Sequence, residues 1–180
     1  GAMVRPSGRA PRRGRDRGRR DDAMVVTKRL RRYIPSEDEF SYLDFPFYWL
    51  ARVQGTYQQQ MEKALKKVGS DIPTWRVLFI LKVHGKSSLS EISTHAIIKL
   101  PTLTRIMTRM KAENLVETST HAEDGRVTEV ELTPAGADLI HRMEEVTARL
   151  FARSYVGLSD AQITRLNATL AQILDNLAED

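Results

Sequence analysis

The stretch LSEISTHAIIKLPTLTRIMTRMKAENLVETSTHAEDGRVTEVEL, Leu89 to Leu132, decides how this chain folds. Ser88 stands just before it and Glu91 follows three residues on, the spacing of a capping box, which predicts a helix start. Leu89 and Ile92 share one face of that helix. A short link through Ile97, Ile98 and Lys99 leads to Pro101, and proline suits a first helical turn because its missing N–H had no partner there. From Pro101 to Glu113, Leu103, Ile106, Met107 and Met110 recur at helical spacing and form a stripe to be buried. Leu115 to Thr120 reads as a strand, His121 to Arg126 as a turn with Asp124-Gly125 at its tip, and Val127 to Leu132 as an alternating, half-buried strand. Thr133 then caps a further helix with Pro134 in its first position. Two short helices, a hairpin and a long helix in this order make a helix-turn-helix with a two-stranded wing.

The second short helix carries a chemical signal on its other face. Thr102, Arg105 and Arg109 lie together there, with Thr104 and Thr108 beside them and no acid among them. Arginine donates two hydrogen bonds to guanine, and threonine meets a phosphate or a thymine methyl, so the set suits a DNA major groove. Taken alone, the same face is also what a solvated basic helix looks like. The wing that follows favours the groove.

These residues resemble the MarR family of bacterial transcription regulators. The resemblance rests on Leu89-Ser-Glu-Ile, on Thr102-Leu-Thr-Arg-Ile-Met-Thr-Arg-Met, on Asn114-Leu-Val, on Glu123-Asp-Gly-Arg and on Glu131-Leu-Thr-Pro-Ala-Gly. The Asp124-x-Arg126 wing and the Leu132-Thr-x-x-Gly136 helix start are its most specific parts, and it extends over about Phe45 to Leu177. It implies a homodimer that binds a near-palindromic operator and answers to a small molecule. It also implies that Arg126 reaches the minor groove, held by the Asp124 turn. Two positions depart from the pattern. Glu117, Thr118 and Ser119 stand where the family usually has a basic residue, and Gly125 stands where many members carry a charge. Both weaken the wing as a phosphate contact without touching the fold.

Composition narrows the classes. At 180 residues the chain is long enough for a real core, and it has no cysteine, which removes disulfides, thiolate metal sites and thiol sensing. It has no apolar run long enough to span a membrane and no signal peptide, so a cytoplasmic location is expected. The net charge of +5 is unevenly placed: residues 1–20 hold eight arginines and one aspartate, and the rest of the chain comes to −2. Residues 1–23 read as a disordered Arg-rich tail, with 1–3 resembling a tag scar. The tail is either an arm adding non-specific phosphate contacts or a solvated extension upstream of a start at Met24.

The flanking segments divide as follows. Residues 24–47 hold Phe40, Tyr42, Leu43, Phe45 and Phe47, too aromatic for a free linker, and are expected to pack on the body or a dimer partner. Residues 48–72 hold a long helix from Tyr48 to Val68, ended by Gly69, for dimerisation and pocket. The winged helix-turn-helix lobe takes 73–133, opening with a helix from Pro73 to His84, and 134–180 holds the C-terminal dimerisation helices. There Leu139, Met143, Val146 and Leu150 make one seam and Ile163, Leu166, Leu170, Ile173 and Leu177 a second, more apolar surface than one lobe covers. The expected fold class is therefore mostly α with a small β-wing, a DNA-binding lobe between N- and C-terminal dimerisation helices.

Candidate ligand-binding residues are Tyr48, Trp49, Arg52, Tyr57 and Trp75. Arg52 would meet a ligand carboxylate, or else sit in a surface ion pair. Trp75 belongs first to the core. The resemblance implies aromatic acids, phenolics or their coenzyme A thioesters as effectors. No catalytic residue or cofactor site is read: the four histidines fall at no ligand-like spacing, and there is no nucleophile triad or glycine-rich phosphate loop. Zinc sensing, known in relatives, would have to use His141 with Glu144 and Glu145, and one histidine on a charged helix is ordinarily solvated, so no metal site is assigned. The expected function is a ligand-released, sequence-specific repressor. Two alternatives remain open: an architectural binder driven by the Arg-rich tail, and a winged helix that binds protein only.

Overall fold

The computed structural model describes residues 28–178. The Arg-rich tail, the tag-like start and Met24 lie outside the described residues. The chain separates into two units, 1–56 and 57–180.

In the first unit, two 3₁₀ turns, Arg31–Tyr33 and Tyr42–Asp44, are tied together by Arg32, whose Nη2 lies 2.6 Å from Asp44 Oδ2. The aromatic residues pack on one another. Phe40 meets Phe45 edge to face at 5.4 Å between centroids, and Tyr42 meets Tyr48 at 5.1 Å. The Trp49 indole N–H donates to Leu43 O at 2.8 Å. Tyr42, Leu43, Phe47 and Trp49 still leave about half their surface exposed. Helix α1, Pro46–Leu65, begins in this unit.

In the second unit α1 ends, passes through a 3₁₀ turn at Lys66–Val68, and stops at Gly69, whose φ of +69° puts it in the left-handed region that glycine adopts without strain. Helix α2, Ile72–His84, is the hub. It is apolar nearly all round, as a helix contacted on several sides must be. It packs against helix α3 (Leu89–Ala96), strand β3 (Thr128–Leu132) and helix α5 (Pro134–Ser154). Between them run strand β1 (Ser87–Ser88), helix α4 (Leu100–Ala112) and strand β2 (Val116–Thr120). Helix α6, Asp160–Ala178, closes the chain. The core collects Met61 and Leu65 from α1, Val77 and Leu78 from α2, Ile92 from α3, and Leu103, Met107 and Met110 from α4.

Two expectations change. The wing is not two-stranded alone: β1 pairs with β3, so the sheet is antiparallel in the order β1-β3-β2. Two residues are too short to show an alternating pattern, which is why Ser87–Ser88 carried no signal. The α5 seam is also used differently. Leu139 and Met143 are buried in this chain's own core, while α6 buries no residue and leaves Leu166, Leu174 and Leu177 exposed. Among the described residues, no helix is long and apolar enough to cross a membrane.

Candidate nucleic-acid interface and ligand pocket

The helix-turn-helix is built from local rules. The Ser88 hydroxyl accepts from Glu91 N at 3.2 Å, and the Glu91 carboxylate accepts from Ser88 N at 2.8 Å, so the capping box forms in full. The turn is carried by Ile97, in the left-handed region at φ +55° and 85% exposed. A β-branched residue there costs about 1–2 kcal/mol. The strain is held by Ser93, whose carbonyl accepts from Ile98 N at 3.1 Å and whose hydroxyl donates to Ile98 O at 2.6 Å.

On α4 the buried stripe forms, and Thr102, Thr104, Arg105, Thr108 and Arg109 are all exposed. They are not equally available. The Thr104 hydroxyl donates to Leu100 O at 2.9 Å and the Thr108 hydroxyl to Thr104 O at 3.1 Å. Both protons are used within the helix, leaving their methyl groups and lone pairs to a partner. Arg109 is engaged more firmly. Its Nη1 lies 3.0 Å from Asp71 Oδ2, and its Nη2 donates to Thr74 Oγ1 at 2.9 Å. Arg109 therefore ties α4 to the start of α2, where helical spacing alone put it on the groove side. Arg105 makes no ion pair among the described residues. Lys99, exposed at the α4 N-cap, adds a cation that the sequence reading passed over.

Asp71 has two duties. Its Oδ1 caps α2 by accepting from Thr74 N at 2.9 Å, while Oδ2 holds Arg109. Partial burial opposes its ionisation. The Thr74 backbone N–H and hydroxyl and the Arg109 guanidinium together outweigh that, and the carboxyl titrates below its ordinary value. Asp71→Ala should cost roughly 1–2 kcal/mol in urea unfolding, about 1 from the cap and the rest from the partly exposed ion pair. A carboxyl with a depressed folded pKa stabilises fully above its unfolded value of about 3.9 and loses that contribution as pH falls through the lower folded value. The difference between wild type and variant should stay flat from about pH 7 to pH 5 and close only below about pH 4.

At the wing, Asp124 Oδ1 accepts from Arg126 N at 3.0 Å and from Arg126 Nε at 3.2 Å. Val127 N donates to Asp124 O at 3.1 Å and closes the turn. The Arg126 side chain is 93% exposed. At the other end of the hairpin, Thr133 joins three elements. Its N–H donates to Leu115 O, its hydroxyl to Asn114 O at 2.6 Å, and the same oxygen accepts from Gly136 N to cap α5.

A cleft of about 390 Å³ lies between α1, α2 and α5, lined by Tyr57, Trp75, Phe79, Glu144, Thr147 and Phe151. Trp75 stacks on Phe79 at 5.5 Å and on Phe151 at 6.3 Å. Burial pushes the Tyr57 phenol up against the Arg76 charge and the Trp75 indole, so it stays protonated and able to donate. The buried Thr147 hydroxyl donates to Met143 O at 2.8 Å. Glu144 pairs with Lys82, and His141 lies 3.4 Å from Glu145 on the next turn of α5. Of the five expected ligand residues, the cleft gathers Tyr57 and Trp75. Tyr48, Trp49 and Arg52 belong to the first unit, where the Arg52 guanidinium lies over the Tyr48 ring at 5.7 Å. Glu144, Thr147 and Phe151 were missed, though their three-then-four spacing marks one stripe of α5.

The sequence profile of the MarR family matches residues 71–128, from the Asp71 cap to the first residue of β3. Over 143 residues the chain is 57% identical to the HTH-type transcriptional repressor IacR of Pseudomonas putida, covering 79% of this chain and 86% of that one. The chain belongs to the MarR family. Solved structures agree in fold. NadR in complex with 4-hydroxyphenylacetate superposes with a TM-score of 0.67 at 21% identity, covering 78% of this chain and 97% of that one. A mutant MarR from E. coli complexed with operator DNA gives 0.61 at 16% identity, covering 85% and 96%. In this MarR-family regulator, α3 and α4 are thus the helix-turn-helix and β2–β3 the wing.

Proposed function

We propose that this MarR-family regulator is a homodimeric repressor that an aromatic acid or phenol releases from its operator. The observation that carries the DNA half is the pairing of two outward arginines on one lobe, Arg105 on α4 and Arg126 at the wing tip. Arg105 reads base edges in the major groove beside Thr102, and the methyl groups of Thr104 and Thr108 meet thymine methyls. Arg126 enters the minor groove, supported by Asp124. Arg109 contributes by fixing the pose of α4. The exposed leucines of α6 supply the dimer contact, and a two-fold dimer sets two α4 helices about one DNA turn apart.

The effector half rests on the aromatic cleft. Its volume suits one substituted ring with a short acid or hydroxyl arm, and stacked aromatic walls with a few polar groups are what such a ligand needs. 4-Hydroxyphenylacetate, held by NadR, has that chemistry. A coenzyme A thioester would place its aryl end here and its nucleotide arm outside. Trp75 follows Thr74 and lies one turn from Asp71, the two residues that hold Arg109. A ligand seated on Trp75 therefore acts on the same turn of α2 that positions α4. It lowers operator affinity by the difference in its binding to the free and DNA-bound forms.

The test is a thermal-shift screen at fixed protein concentration with aromatic carboxylates, phenols and aryl thioesters. A ligand at a hundred times its dissociation constant adds about 2.7 kcal/mol, on the order of 5–10 °C here. The expected hit is selective, is lost in Trp75→Ala and releases operator DNA. Arg52→Ala then asks whether that arginine meets the carboxylate. A flat screen across the whole panel would contradict the effector class.

A further inference from the structure

A second groove in the same unit, about 220 Å³, runs between α1 and α5. Ala64 and Leu150 form its floor. Lys63 from α1, Lys67 from the 3₁₀ turn that follows it, and Arg149 and Arg153 from α5 form its walls, and no carboxylate lines it. We propose that this groove binds an oligophosphate anion.

The charge placement points there. Outside its first twenty residues the chain has a surplus of acid, so four cations around one apolar floor are a local concentration and not a share of a general excess. Arg149 and Arg153 are spaced i,i+4 on α5, where like charges weaken a helix. Every ion pair found among the described residues goes elsewhere: Glu144 to Lys82, Glu145 to His141, Asp138 to Arg142. Two guanidinium forks and two ammonium groups give planar, bidentate donors beside mobile point charges, a set matched to adjacent phosphates more than to one carboxylate.

The location argues for a small anion over a DNA backbone. Lys67 precedes Asp71 by four residues, and Asp71 holds Arg109 in the last turn of α4. Recognition helices present their N-terminal residues to base edges, so this groove is associated with the opposite end of α4.

The experiment is titration calorimetry of the full chain with inorganic pyrophosphate and, separately, ADP, at physiological salt. Wild type is compared with the double variant Lys63→Gln/Arg149→Gln. The Arg-rich N-terminal residues are present in both proteins, so the difference belongs to the groove. Saturable binding in wild type, weakened at least tenfold in the variant, supports the site. Equal affinity for pyrophosphate and ADP means that phosphates alone are recognised, and tighter ADP means that the apolar floor takes the nucleoside. Without anion, the variant should melt no lower than wild type, because like-charge repulsion has been relieved. Absence of saturable binding, or binding that is the same in both proteins, overturns the proposal. So does a variant whose operator binding loses about two charges of salt dependence per protomer, since the cations would then be contacting DNA.

Discussion

Arg105→Ala is expected to weaken operator binding by roughly 30-fold or more. A bidentate arginine–guanine contact carries about 1–3 kcal/mol of discrimination, and a dimer loses one in each half-site. Taken at the low end, two such losses come to about 2 kcal/mol, against 1.4 for each factor of ten. The fold should be unchanged, because Arg105 is exposed and makes no ion pair among the described residues. Arg105→Lys restores the charge but not the fork, so it should recover non-specific affinity and leave specificity low. Fluorescence anisotropy on operator and on scrambled duplex separates the two. Arg109→Ala should behave differently. It breaks the contact with Asp71 and Thr74, so its effect should overlap that of Asp71→Ala and fail to add to it in the double variant. Full additivity would put Arg109 in the groove on its own account.

Gly136→Ala is expected to be the most damaging methyl added at any of the described glycines. A Cβ at this position would lie 2.1 Å from Leu115 O and 3.2 Å from a Leu132 methyl. The obstacle is a backbone carbonyl already accepting from Thr133 N, at the point where the exit of α4, the start of β2 and the cap of α5 converge. It cannot rotate away as a side chain would. Overpacking costs about 1–3 kcal/mol, occasionally more, and a rigid obstacle belongs at the top of that range. About 3 kcal/mol in a chain of this size lowers the melting temperature by roughly 6–12 °C. A calorimetric melt within about 2 °C of wild type would mean that α5 and Leu115 separate readily. The glycine of the Leu-Thr-Pro-Ala-Gly segment is thus needed for close approach, not for an unusual φ.

What could be read from the sequence was what is written locally. The Ser88–Glu91 box, Thr133 with Pro134, the Gly69 stop and the Leu103–Met107–Met110 stripe each depend on residues no more than four apart, and each forms. What could not be read depends on distance along the chain. Arg109 and Asp71 are 38 residues apart, and no spacing rule on α4 reveals that one of its arginines is engaged. The pocket needed Trp75 and the Glu144–Thr147–Phe151 stripe to be brought together by packing of α2 on α5. The same packing explains the α5 seam: its leucine and methionine at 139 and 143 look free for a partner until α2 covers them. In the aromatic run around the start of α1, the rings pack on one another locally.

The most direct test of sequence-specific operator recognition is selection of bound duplexes from a random library, at physiological salt, with wild type and Arg105→Ala side by side. The account predicts that wild type enriches a near-palindrome whose half-sites lie about one helical turn apart, and that Arg105→Ala loses the enrichment at one position in each half-site. A wild-type protein that binds the library tightly, enriches nothing, and releases it steeply with added salt would contradict the account and leave the arginines of residues 1–20 as the DNA-binding element.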